Sequence, residues 1–93
     1  MTKMTAVLMH GERGGEGTYT FDLDGDPGEL RKSTIVRTFM THLDAHYDLG
    51  GPLDYEVDAV FRDDARKILT VIGKLIFEGE NVQPFACFIS PAA

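Results

Sequence analysis

The chain has 93 residues, of which 43% are hydrophobic and 26% charged, and a formal net charge of −6 at pH 7. This length fits a single domain, residues 1–93, and the composition is ordinary for a globular protein. The acidic charge argues against nucleic-acid binding, which needs a basic face, and against anionic membrane surfaces.

The first half of the chain predicts two strands and a helix. Met4–His10 reads as a strand, and after a glycine-rich connection Thr18–Leu23 alternates apolar and polar residues as a half-buried strand does. Asp26, followed by proline and by a glutamate three residues on, is typical of a helix start. A Gly-Gly-Pro sequence ends this helix, which we expect over Pro27–Asp48. Its apolar stripe at helical spacing comprises Ile35, Val36, Phe39, Met40, Leu43 and Tyr47.

The second half predicts three more strands, Asp54–Arg62, Lys67–Phe77 and Val82–Ser90, which short turns join into an antiparallel meander. Pro84 cannot donate a ladder hydrogen bond, so it indicates a sheet edge or a bulge. The sequence therefore predicts an α+β fold of order β-β-α-β-β-β, with one amphipathic helix packed on a five-stranded, mainly antiparallel sheet.

The last two predicted strands are apolar on both faces, whereas a sheet with one solvated face alternates. One helix covers one face, so the other face should expose far more apolar surface than a monomer usually does. Pairing through two-residue turns at Asp64-Ala65 and Gly79-Glu80 divides the side chains between the faces, although a one-residue slip would exchange them. We assign a homodimer interface on the uncovered face to Leu69, Val71, Leu75, Phe77 and Phe88. The alternative is a strongly coiled sheet that hides both faces within one copy.

No motif predicts catalysis, and we expect no cofactor. His42 and His46 have the i, i+4 spacing that can place two imidazoles on one metal. A metal site would need a third ligand from elsewhere in the chain, such as His10 or Cys87. Leu43 stands where a His-Glu-x-x-His site has its glutamate, so we predict no metal and keep His42 and His46 only as weak candidates. The glycine-rich connection lacks the Gly-Lys-Ser/Thr ending of a phosphate-binding P-loop.

Three functional hypotheses remain open. The leading one is a non-enzymatic interaction or accessory protein that forms a homodimer or binds another protein. The second is a small enzyme or ligand carrier with a pocket between sheet and helix or between subunits. Candidate lining residues for that pocket are His46, Tyr47, Tyr55 and Cys87. The third is an inhibitor that engages a basic protein through Glu12, Glu16, Asp22, Asp24 and Asp26.

The sequence also predicts a cytoplasmic location. Cys87 is the single cysteine, so an internal disulfide is excluded, and its apolar neighbours indicate a buried thiol in a reducing compartment. Residues 1–5 lack the apolar core of a signal peptide, and no apolar run approaches the ~18–20 residues that span a bilayer. We therefore expect no membrane association.

Overall fold

One α-helix packs on one face of a five-stranded antiparallel sheet, which confirms the predicted fold. The structure, a computed structural model, describes residues 1–11, 15–46, 54–77, 79 and 81–92, with only the backbone of residues 15, 16 and 46. The elements are β1 (Thr2–His10), β2 (Gly15–Leu23), α1 (Lys32–His46), β3 (Asp54–Asp63), β4 (Ile68–Phe77) and β5 (Asn81–Pro91). The strand order is β2-β1-β5-β4-β3, and every neighbouring pair is antiparallel.

This order places the two strands on either side of α1 at opposite edges of the sheet. β2 precedes the helix at one edge, β3 follows it at the other, and the meander β3-β4-β5 returns to pair with β1. The side chains of α1 pack against a single sheet face, which we call the covered face.

The hydrophobic core lies between α1 and the covered face. The helix contributes five residues of the predicted apolar stripe, Ile35, Val36, Phe39, Met40 and Leu43, with Phe39 and Leu43 completely inaccessible to solvent; Tyr47 lies outside the described residues. Buried side chains of the sheet complete the core: Met4, Ala6, Leu8, Phe21, Leu23, Leu69, Val71, Leu75, Phe85, Cys87 and Ile89. Each large apolar side chain buried here contributes roughly 1.5–3 kcal/mol of transfer free energy.

The helix begins at Lys32, five residues later than the sequence predicts. Asp26 organises a separate turn instead. Its Oδ1 accepts the N–H of Gly28 at 2.8 Å, and its carbonyl accepts the N–H of Leu30 at 3.1 Å. A new run of helical hydrogen bonds then starts at the carbonyl of Arg31. The cap-like sequence is thus satisfied locally, and the predicted helix end at residue 48 lies outside the described residues.

The β4–β5 hairpin has a three-residue turn, because Phe77 pairs with Asn81. Gly79, inside this turn, has a φ of 78°, a conformation that favours glycine. The predicted two-residue turn is wrong, and the slip moves every β5 side chain to the other face relative to β4. The covered face therefore combines Leu69, Val71 and Leu75 with Phe85, Cys87 and Ile89.

Pro84 lies in β5, the central strand, although its sequence indicates an edge or a bulge. On one side it pairs with Lys74 of β4. On the other side β1 ends at His10, and the Pro84 carbonyl accepts the N–H of Gly11 at 3.1 Å. The backbone nitrogen and carbonyl of a strand residue point towards the same neighbouring strand. The nitrogen of Pro84, which has no hydrogen to donate, therefore points towards β1 at the place where β1 ends. No β4–β5 hydrogen bond is lost.

A bulge bends the edge strand β3, where the pairing with β4 shifts between Val57 and Ala59. Gly73 pairs with Val57 beside this bulge. A Cβ atom at Gly73 would collide with the carbonyl oxygen of Glu56 and would lie 2.9 Å from Cε1 of Phe85. The bent strand therefore occupies the space that a side chain would need, and only glycine fits.

Candidate interaction surface

The sheet face opposite α1, which we call the open face, keeps large apolar side chains exposed. The strand register arranges its side chains in rows across β1, β5, β4 and β3. One row contains Val7, Phe88, Thr70 and Phe61, and the next contains Met9, Ala86, Ile72 and Ala59. We define the apolar patch as Val7, Met9, Phe61, Ile72, Ala86 and Phe88.

The exposure of these residues shows that the monomer leaves the patch uncovered. Phe61 is 63% exposed, Ile72 44%, and Phe88 and Met9 are each 39% exposed. Isolated exposed apolar residues are normal on a protein surface, whereas a contiguous group of them indicates an interaction site. Because these residues occupy adjacent rows of one sheet, the patch is contiguous.

Polar residues border the patch. On the β2 side, Thr18, Thr20 and Asp22 are all exposed. On the β4–β3 side, Nζ of Lys74 lies 3.7 Å from Oδ2 of Asp58, and both side chains are about half exposed. An apolar centre within a polar rim is the usual anatomy of a protein interface.

The size of the open face fits a stable protein interface. Five strands about 4.8 Å apart, each about 30 Å long, give a face of roughly 600 Å². Two such faces in contact would bury about 1,200 Å² or more in total, which reaches the range of specific complexes.

The structure places four of the five predicted interface residues on the covered face. Leu69, Val71 and Leu75 are at most 4% exposed and belong to the core. Phe77 is half-buried and packs against that core. These four side chains cannot form the predicted surface of a folded copy. The physical reason is that α1 packs on this face of β4, and the one-residue slip in the β4–β5 turn then puts Phe88 on the opposite face. Phe88 alone among the five lies on the open face.

Sequence reasoning missed Phe61 as a member of this face. The alternation from Tyr55 through Val57 to Phe61 suggests that these side chains share one face. The bulge at Asp58 breaks the alternation, so Tyr55 faces the core whereas Phe61 faces outward. Asp58 continues the polar positions that Asp54 and Glu56 begin, so this alternation gives no sign of the bulge.

The predicted pocket residues do not converge within the described part of the chain. Cys87 is completely buried in the core, where desolvation raises the pKa of its thiol to about 12. Tyr55 is half-buried and lies in a different row of the covered face, opposite Leu75. The His46 side chain and the whole of Tyr47 lie outside the described residues.

The histidine and acidic candidates occupy separate regions. His42 is half-buried on α1, with its ring centroid 6.1 Å from that of Phe21. Within the described ranges, no group of three or more His, Cys, Asp and Glu residues is arranged to hold a metal ion. Asp22, Asp24 and Asp26 are exposed along the end of β2 and the loop after it. Glu12 and the Glu16 side chain lie outside the described part of the chain.

Comparison of the chain with protein-family models, curated proteins and solved structures gave no significant match. Over the described residues, no helix combines the length and apolar character that crossing a membrane requires.

Proposed function

We propose that this protein is a non-enzymatic interaction module that forms a homodimer by packing the open faces of two copies against each other. The observation that supports this proposal is the apolar patch, which spans four strands and stays exposed in one copy. Burying the patch against a second copy stabilises the dimer by about 25 cal/mol for each Å² of apolar surface removed from water.

A second copy is an occupant of suitable shape and chemistry. Sheets pack face to face readily, and a two-fold axis brings the same patch of both copies together. The rim carries the cation Lys74 and the anion Asp58 side by side, so two copies offer each other charges of both signs.

Salt dependence distinguishes this homodimer from an inhibitor of a basic protein. Each copy carries a net charge of −6, so two copies repel each other at long range. Salt screens that repulsion, and the homodimer should therefore become tighter as ionic strength rises. A complex between this acidic chain and a basic partner should instead weaken with salt.

The homodimer is proposed to act in the cytoplasm. Cys87 is free and fully buried, and a chain with one unpaired cysteine has no need of an oxidising compartment for folding.

Sedimentation velocity over a dilution series tests the proposal with two matched variants. Ile72→Lys places a charge within the patch, whereas Val57→Lys places the same charge on the edge strand β3, on the side of the sheet away from the open face, at a residue 38% exposed. We expect Ile72→Lys to be monomeric and Val57→Lys to dimerise like the wild type. Equal dimerisation of all three proteins would contradict the proposed interface.

A further inference from the structure

A cleft of about 620 Å³ opens at one end of the covered face, away from the apolar patch. It lies between the loop before α1, the first turn of α1 and the turn that joins β3 to β4. Buried side chains of Met4, Ile35, Leu69 and Ile89 form its apolar floor. This volume is within the range of small-molecule sites, roughly 300–1,000 Å³.

Arg62 places a positive charge on the wall of this cleft. Its Nη2 donates to the carbonyl oxygens of Leu30 at 2.8 Å and Pro27 at 3.2 Å, so the guanidinium is held in a fixed orientation. These carbonyls are neutral acceptors. The ion pairs among the described residues are Arg66–Asp63 and Lys74–Asp58, and neither includes Arg62.

The charge of Arg62 is therefore uncompensated although its side chain is half-buried. A cation that is partly removed from water is ordinarily paired with an anion. The Nε and Nη1 groups of Arg62 make no hydrogen bond to the described residues. A planar guanidinium with free donors can bind a carboxylate through two parallel hydrogen bonds.

The other charges at the cleft are exposed and lie at its rim. Asp26, Asp64 and Lys67 are all in contact with solvent, where their fields are screened. One oxygen of the Asp26 carboxylate already accepts the N–H of Gly28. Arg62 therefore dominates the electrostatics beside the apolar floor.

We propose that this cleft binds an apolar monocarboxylate. The carboxylate accepts hydrogen bonds from the free donors of Arg62, and the apolar body lies on the floor formed by Met4, Ile35, Leu69 and Ile89. This site is separate from the proposed dimer interface, so each can fail without the other.

Methyl NMR titrations with three ligands of equal chain length, octanoate, 1-octanol and octylamine, test the proposed ligand class. We expect octanoate to bind at least about tenfold more tightly than octanol, because a hydrogen bond to a charged group exceeds a neutral one. The methyl signals of Ile35 and Ile89 should shift, and that of Ile72 on the open face should not. Octanol or octylamine binding as tightly as octanoate would overturn the proposal, as would shifts confined to Ile72.

Arg62→Met tests the role of the guanidinium, because it removes the charge and keeps an apolar stem. We expect its octanoate affinity to fall about tenfold, to the level of octanol, while its octanol affinity stays that of the wild type. Arg66→Met is the matched control, since Arg66 is exposed and pairs with Asp63 outside the cleft. If Arg62→Met does not fold, Arg62→Lys keeps the charge without the planar fork and should still lose several-fold in octanoate affinity. Unchanged octanoate affinity in the folded variant contradicts the proposal.

Discussion

Replacing Phe61 by threonine should weaken the homodimer without destabilising the folded monomer. Phe61 is 63% exposed on the open face, so the monomer gains little from its burial. Threonine is β-branched and therefore suits a strand, and the substitution should change the unfolding free energy of the monomer by less than about 0.5 kcal/mol.

The expected loss in dimer affinity follows from the exposed area. A fully buried phenylalanine removes about 200 Å² from water, so the exposed part of Phe61 corresponds to about 120 Å². At about 25 cal/mol per Å² this represents about 3 kcal/mol for each copy that the interface buries completely. A symmetric dimer loses the contact twice, but threonine retains part of the area and interface burial is incomplete. We therefore expect a loss of at least about 2 kcal/mol, or a roughly thirtyfold higher dissociation constant.

Sedimentation equilibrium gives the dissociation constant, and urea unfolding of dilute monomer gives the monomer stability. Val57→Thr is the control, because Val57 is exposed on β3 away from the open face and the substitution preserves side-chain shape. A dissociation constant for Phe61→Thr within about twofold of that of Val57→Thr would contradict the burial of Phe61 in the dimer interface.

Two further predictions concern the core. Gly73→Ala should destabilise the fold by about 2–4 kcal/mol in urea unfolding, because the new Cβ meets the carbonyl of Glu56 and the ring of Phe85. At Gly79 the new Cβ would have no described residue other than its chain neighbours within 4 Å, so Gly79→Ala should cost only about 1 kcal/mol through the positive φ. Equal losses in the two variants would contradict a steric clash at Gly73. Burial raises the pKa of Cys87 from the usual 9.0 to about 12, so the folded state keeps the proton that the unfolded chain releases. Its contribution to stability is complete below pH 9 and is lost as pH rises toward 12. The stability advantage of wild type over Cys87→Ala should accordingly shrink by about 1.4 kcal/mol per pH unit in that window. A constant difference would contradict the assigned burial effect.

Local patterns were sufficient to predict which elements form. The helical stripe that includes Phe39 and Leu43 identifies α1 and its buried side, and apolar alternation and turn residues identify the five strands. The doubly apolar character of β4 and β5 reflects two different surfaces, since one side of these strands packs in the core and the other carries Ile72, Ala86 and Phe88 of the apolar patch. Both strands supply the covered face and the open face at once.

The membership of each face could not be predicted from local patterns, because it depends on the register between strands. One extra turn residue around Gly79 reverses the face of β5, and one bulge residue at Asp58 reverses the face of Phe61. The need for glycine at residue 73 arises only once β3 bends over it. The cleft could not be predicted from local patterns either, because its Arg62 side chain donates to the carbonyl of Pro27, which is 35 residues away in the chain.

Isotope-filtered NMR on a mixture of labelled and unlabelled protein detects contacts between copies, so it shows whether two open faces pack against each other. A homodimer formed through the open face should give intermolecular NOEs that link the Ile72 methyl groups of one copy to the aromatic rings of Phe61 and Phe88 in the other. Ile35 and Ile89, buried on the covered face, should show none. Intermolecular NOEs that avoid Ile72, or a complete absence of them at millimolar concentration, would contradict a homodimer formed through the open face.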